Sequence, residues 1–165
     1  MLSLALFVFL MRLLLQWARA DFRNPVAQAV VKITNPIVLP LRRILPPVGK
    51  VDTASVVAVL LVAIVDVAIV FAMREVFVPD LLTWVRAVTF EIIRTALSAY
   101  FYAILLYAVL SMIAPGGYSP VQSLLTSLCE PVLRPFRRII PPIAGIDFSP
   151  LWALIAIQAL LILLR

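Results

Sequence analysis

The sequence predicts an all-α membrane protein: four transmembrane helices as two parallel helix–loop–helix repeats, with amphipathic helices lying in the interface. Three observations lead there. Of 165 residues, 64% are apolar and 13% charged, with a mean hydropathy of +1.13, whereas soluble domains are roughly half apolar and a quarter charged. The apolar residues gather in four runs, at 2–18, 54–73, 95–114 and 149–164. The chain also matches itself when shifted by 95 positions. The same composition sets limits on chemistry. With no His and the single Cys129, disulfide frameworks and the common zinc, haem and Cys/His catalytic sites are excluded, and no cofactor is expected.

A bilayer span takes about 20 mostly apolar residues, with roughly 17 as the lower end. The second and third runs meet this. The first and fourth are short, and the sequence starts and stops almost inside them. Either these helices sit in thin or protein-lined surroundings, or the biological ends lie elsewhere. Ala18-Arg19-Ala20 has the small-x-small form of a secretory cleavage site. No basic residue precedes the apolar run, however, Arg12 interrupts it, and the shifted copy at 97–113 gives it a retained counterpart. We read it as a transmembrane helix.

Two charges fall within the spans, Arg12 and Asp66, and each costs about 2.5–3.5 kcal/mol at a helix centre on insertion scales. Arg12 lies near the loop end of its span, where its stem can snorkel to the headgroups. Asp66 is nearer mid-bilayer, so it is expected protonated or hydrogen-bonded inside the bundle, with Arg12 as a candidate partner. A proton or ion relay is the lesser reading, because the matched residues in the other copy are Leu161 and Tyr107.

The self-match is strongest in the loops. Asn35-Pro-Ile-Val-Leu-Pro-Leu-Arg-Arg-Ile-Leu-Pro-Pro47 falls on Glu130-Pro-Val-Leu-Arg-Pro-Phe-Arg-Arg-Ile-Ile-Pro-Pro142, and ten of the 29 positions at 24–52 are identical to their partners. Asn24-Pro25 and Ser119-Pro120 read as an N-cap followed by proline at the first helical position. Apolar Val26, Ala29, Val30 and Ile33, and Val121, Leu124, Leu125 and Leu128, then follow the i, i+3, i+4, i+7 spacing of an amphipathic helix. Each segment is expected to lie in the interface, its apolar face toward lipid or bundle. Pro36 and Pro40, like Pro131 and Pro135, stand four apart, and a proline inside a helix removes a hydrogen bond and clashes with the preceding turn. The chain is therefore expected to turn there and begin a second short helix near Pro40 or Pro135. That helix must stop before Pro46-Pro47 or Pro141-Pro142.

The pairs Arg42-Arg43 and Arg137-Arg138 fall on this second helix, with Lys50 and Arg134 nearby. Three readings stand open: a cytoplasmic topology signal, a site for anionic lipid headgroups, or structural ion pairs with Asp52 and Asp147. The two aspartates precede the next spans, where Ser149-Pro150 reads as an N-cap and first helical position. The matching cap is Asp52, Thr53 or Ser55. Neither aspartate has the partner acid, base or metal that catalysis needs.

The two repeated loops carry six and three Lys/Arg, against three in the segment 74–94, where Glu75, Asp80 and Glu91 offset them. By the positive-inside rule the repeated loops are cytoplasmic and both termini periplasmic, with the copies in like orientation. The organisation expected is a first repeat at 1–73, an outer interfacial connector at 74–94, and a second repeat at 95–165.

These residues resemble the YggT family, which has YlmG proteins among its relatives. Its loop pattern, E-P-x-L-x-P-x-R-R-x-x-P-P-x-x-G-x-D-x-S-P, is followed closely from Glu130 to Pro150. The first copy is looser: Asn35 replaces the Glu, Lys50 stands where Gly145 is, and Ala54-Ser55 replace Ser149-Pro150. The resemblance implies a small inner-membrane protein of bacteria linked to osmotic-shock tolerance. It also implies kinship with proteins of cell division, plastid nucleoid organisation and cytochrome-complex assembly. It defines no molecular activity, and without His there is no axial ligand for a haem role. The function expected is a non-enzymatic accessory or scaffold protein whose basic loops meet anionic lipids or protein partners, with no direct contact to nucleic acid. The alternative is a small channel or transporter subunit that works as a homo-oligomer. Its polar hints are confined to Arg12, Gln16, Asp66, Ser111 and Gln158.

Overall fold

The computed structural model describes residues 4–47, 52–73, 80–113, 119–139 and 147–164. They form six helices: α1 (Leu4–Trp17), α2 (Pro25–Ile44), α3 (Thr53–Met73), α4 (Leu81–Ile113), α5 (Pro120–Ile139) and α6 (Ser149–Leu163). No strand occurs among the described residues. Two of the helices, α3 and α4, are long and apolar enough to cross a membrane, while α1 and α6 are apolar but have 14 and 15 residues. The 21 residues of α3 extend about 32 Å, close to the ~30 Å hydrocarbon thickness.

The chain divides into two compact units, Met1–Leu13 with Val30–Ala96, and Leu14–Ala29 with Leu97–Arg165. The first has an apolar core of Leu6, Phe9 and Leu10 from α1, Val38 from α2, Ala54, Ala58, Val59, Ala63 and Val67 from α3, and Val88 from α4. Alanines line the inward face of α3, so neighbouring backbones can approach closely, as small residues permit in lipid. Its other face exposes Leu60, Leu61, Ile64, Val65 and Ile69, an apolar stripe suited to lipid and not to water. Phe71 meets Trp84 edge to face, with ring centroids 5.6 Å apart. In the second unit α5 packs against α6, and Leu124, Leu125, Leu128, Cys129 and Leu133 are buried along α5.

Helix ends follow local chemistry. The Asn24 Oδ1 accepts the Val26 amide at 2.9 Å and the Ser119 Oγ accepts the Gln122 amide at 3.0 Å, so both Asx/Ser-Pro starts are capped as expected. Asn24 also donates through Nδ2 to the Pro120 carbonyl, tying the start of α2 to that of α5. At the end of α1 the Ala20 amide donates to the Leu15 carbonyl and the Arg19 amide to the Gln16 carbonyl. Arg19 has φ 53°. This is a Schellman motif with arginine in the left-handed position that glycine fills at least cost.

Two expectations about the elements are corrected, and one alternative left open is decided. First, α2 and α5 each run unbroken through their prolines, Pro36 and Pro40 in one and Pro131 and Pro135 in the other. All four rings are exposed. Spacing of four keeps both rings of a helix on one outward flank, so the opposite flank stays bonded and buries Ala27, Thr34 and Val38 in α2. The stop before Pro46-Pro47 is present, with α2 ending at Ile44, whereas Lys50 and Pro141-Pro142 lie outside the described residues. Second, of the two sides left open for the apolar stripe of α2, the structure turns it outward and not toward the bundle. Val26, Ala29 and Ile33 are exposed, and the buried positions Thr34 and Val38 match Cys129 and Leu133 of α5. The spacing was right for a helix, but the polar bonds of Thr34 set its rotation. Third, residues 81–94 are no separate connector: they continue without a break into the run at 95–113 as α4. No glycine or proline interrupts these 33 residues, which extend about 50 Å. Residues 74–79 lie outside the described set.

These faces set the cost of truncation. Leu133→Ala, at a fully buried position, is expected to lower stability by about 2–5 kcal/mol. Ile33→Ala, at a side chain 63% exposed, changes it by less than about 0.5 kcal/mol. Thermal melts of the two purified variants check this, and equal losses would contradict the assigned rotation of α2.

Candidate functional site

Polar chemistry concentrates where α2 and α5 end and the next helices begin. Arg42, in the last turn of α2, grips Asp52 with the Nε–Nη2 edge of its guanidinium. Nε lies 3.3 and 3.2 Å from the two carboxylate oxygens, and Nη2 lies 2.5 Å from Oδ2. Asp52 is buried, and its Oδ2 also accepts the Ser55 hydroxyl at 2.6 Å. Its own carbonyl accepts the Val56 amide at 3.1 Å, which makes Asp52 the cap of α3. Nearby, Thr53 Oγ1 donates to the Pro46 carbonyl at 2.8 Å and holds the turn.

The matching residues of α5 make a matching bond. Arg137 Nε donates to Asp147 at 2.8 Å, Nη1 to Glu130 at 2.6 Å and Nη2 to the Tyr107 hydroxyl at 3.2 Å. Asp147 Oδ1 accepts the Ser149 amide at 2.9 Å. That bond corrects the expected cap: Ser149 is already the first residue of α6, Pro150 follows it, and no side chain of the preceding Phe148 caps the helix. Both arginines thus join a helix end to an aspartate ten residues on, and of the three readings of these pairs the ion pair is formed in both places.

Electrostatics follow from these contacts. Burial alone would raise the Asp52 carboxyl, but hydrogen bonds from Arg42 and Ser55, with Arg12 nearby, hold it below the usual carboxylate range. Asp147 is also held low, against burial, by Ser149 and Arg137. The bond to Asp52 raises Arg42. Arg137 is raised too, because Asp147, Glu130 and Tyr107 outweigh its burial. The second members, Arg43 and Arg138, are exposed and make no hydrogen bond or ion pair among the described residues. Cys129 is buried, and burial pushes its thiol up to about 12, far from the thiolate that nucleophilic chemistry requires.

Of the two charges expected within spans, Arg12 is placed differently from expectation, and the Arg12–Asp66 bond is not formed. Arg12 is only 4% exposed, so it does not snorkel to headgroups. Its Nη1 donates to Thr34 Oγ1 at 2.6 Å, Asn35 Oδ1 at 3.0 Å and the Val31 carbonyl at 3.5 Å. Asp66 is half-buried and forms no hydrogen bond or ion pair among the described residues, so the Arg12–Asp66 bond is not made. A guanidinium that meets three acceptors on α2 gains more than one reaching for a single carboxyl further along α3. Sequence reasoning missed Thr34, Asn35, Tyr107 and Glu130 as members of these clusters. The signal was available: where the first copy has Arg12 and Asn35, the second has Tyr107 and Glu130, so charge on one helix is exchanged for charge on the other.

The fold and these clusters define an all-helical membrane protein whose helix ends are joined by arginine–aspartate pairs. The sequence matches the CCB3/YggT family over residues 1–73 and 86–165, and the chain belongs to that family. It is 38% identical over 161 residues to the uncharacterized protein PA0392 of Pseudomonas aeruginosa, covering 94% of this chain and 80% of that one. It is 37% identical over 144 residues to the uncharacterized protein YggT of Escherichia coli strain K12, covering 87% and 74%. An uncharacterized protein in the proC 3' region of Vibrio alginolyticus is 37% identical over 157 residues, covering 94% and 84%. No solved structure matches the chain.

Two outcomes test the pairs. Asp52→Ala is expected to cost about 3 kcal/mol, because the carboxylate side chain is 4% exposed and binds an arginine and a hydroxyl. Asp147→Ala costs about 1 kcal/mol, its side chain being 38% exposed. Both carboxyls titrate lower in the folded protein than in the unfolded chain. Their stabilisation is therefore complete above the unfolded value of about 3.9 and is lost as pH falls through the folded one. Melts from pH 7 to pH 2 should show an acid limb that Asp52→Asn flattens.

Proposed function

We propose that the chain is a non-enzymatic accessory or scaffold protein of the bacterial inner membrane, crossing it four times as two like-facing repeats. Both helix–loop–helix corners then face the cytoplasm, with the termini on the periplasmic side. There the protein presents arginines to anionic headgroups and to protein partners, and so contributes to osmotic-stress tolerance and to the organisation of membrane complexes or division sites. One observation carries this reading. In each arginine pair the first member is spent on an aspartate, while the second, Arg43 or Arg138, is exposed without a partner among the described residues. A rigidly held corner with a free guanidinium suits a surface that docks, and α2 adds outward Val26 and Ile33 beside exposed Lys32. The excess of Lys/Arg in the repeated loops supports the orientation.

The expected consequence is a separation of roles. Arg43→Ala with Arg138→Ala should leave membrane insertion and Tm nearly unchanged. Retention of phosphatidylglycerol through purification, counted by native mass spectrometry, should fall about fivefold for each arginine removed. Undiminished retention in the double variant would sink the proposal.

A further inference from the structure

The face that α6 turns away from its own unit carries a seam. Ser149, Pro150, Ala153 and Ile157 are buried, and on the opposite side Leu151, Ile155, Gln158 and Ile162 are exposed. Their spacing is four, three and four, the heptad repeat along which two helices pack. Beside the seam a groove of about 410 Å³ runs between α6 and Phe101 of α4 in the same unit, with Gln158 and Ala159 in its wall. Ser149 begins the helix, and every later residue but Gln158 is apolar. The Gln158 amide makes no hydrogen bond among the described residues. It stands nine residues on from Ser149, about 14 Å along the helix, near the middle of a ~30 Å hydrocarbon layer. Lipid there offers an amide neither donor nor acceptor.

We infer that α6 pairs with α6 of a second copy of this chain along the seam. The occupant follows from symmetry. Copies inserted in the same direction are related by a two-fold axis along the membrane normal, which sets the two helices parallel and each seam position against its own counterpart. A charged side chain at the centre would repel its own copy. An amide both donates and accepts, so Gln158 meets the partner's Gln158 and each satisfies the other. Ala159, beside it, lets the helices approach closely. The positions of α3 that match Gln158 and Ile162 are Ala63 and Val67, and both are buried in their own unit. One repeat alone therefore offers the seam, and association closes at two copies. The inference rests on α6 lying in the bilayer, as the four-pass reading above has it.

The test uses the full chain in phosphatidylcholine liposomes, with the buried Cys129 in place and one cysteine added. Ile155→Cys, on the seam, should form an intermolecular disulfide on mild oxidation, while Leu160→Cys, exposed but off the seam, should not. Dilution with lipid should reduce the dimer as a two-copy equilibrium requires. Adding Gln158→Leu should weaken association about fivefold to thirtyfold, and Gln158→Asn, which keeps an amide, should retain most of it. A water-soluble maleimide should leave Leu160→Cys unlabelled. Labelling there would take α6 out of the bilayer and overturn the four-pass reading and the pairing together. Shielding without a disulfide at Ile155→Cys, equal cross-linking at both positions, or undiminished association in Gln158→Leu overturns the pairing and leaves the four-pass reading standing.

Discussion

The corners between helices depend on how a guanidinium at one helix end satisfies its donors on the aspartate that precedes the next helix. A helix leaves its last carbonyls unbonded, and the chain must then reverse to begin another apolar helix. Arg42 and Arg137 solve this by reaching ten residues ahead to the aspartate that starts the next helix. The bond does three things at once. It neutralises the cation, places a carboxylate at the positive end of the following helix, and fixes the corner between them.

The neighbouring positions show how the solution adapts. Beside Arg137, α4 offers a neutral phenol and α5 offers a carboxylate. In the other copy α1 offers a guanidinium, Arg12, and α2 answers with neutral acceptors, Asn35 and Thr34. This exchange places Arg12 within the polar cluster. It is a member of that cluster and not a stray charge in an apolar helix.

Much of this was legible in the residues. Apolar runs marked the helices, Asn24-Pro25 and Ser119-Pro120 marked two starts, and the separation of Arg42 from Asp52 admitted an ion pair. Three features were not legible, each for a physical reason. Proline rings exclude a helix only when the flank they disrupt is the one that holds the core, and a linear sequence does not say which flank that is. The rotation of α2 was decided by Thr34 and Asn35 reaching Arg12, a contact between residues more than twenty positions apart. The length of α4 followed from the absence of breakers across 81–94, where scattered charges suggested a boundary.

The prolines also determine how α2 and α5 can yield. A ring at Pro36 removes the amide that would bond the Lys32 carbonyl, and one at Pro40 removes the partner of the Pro36 carbonyl. Both gaps open on the same outward flank, while the ladder on the inward flank, against Thr34 and Val38, is intact. Each helix is therefore compliant in one direction and stiff in the others. It acts as a leaf spring whose bending plane is written into its covalent chemistry, so flexing leaves the packed side undisturbed.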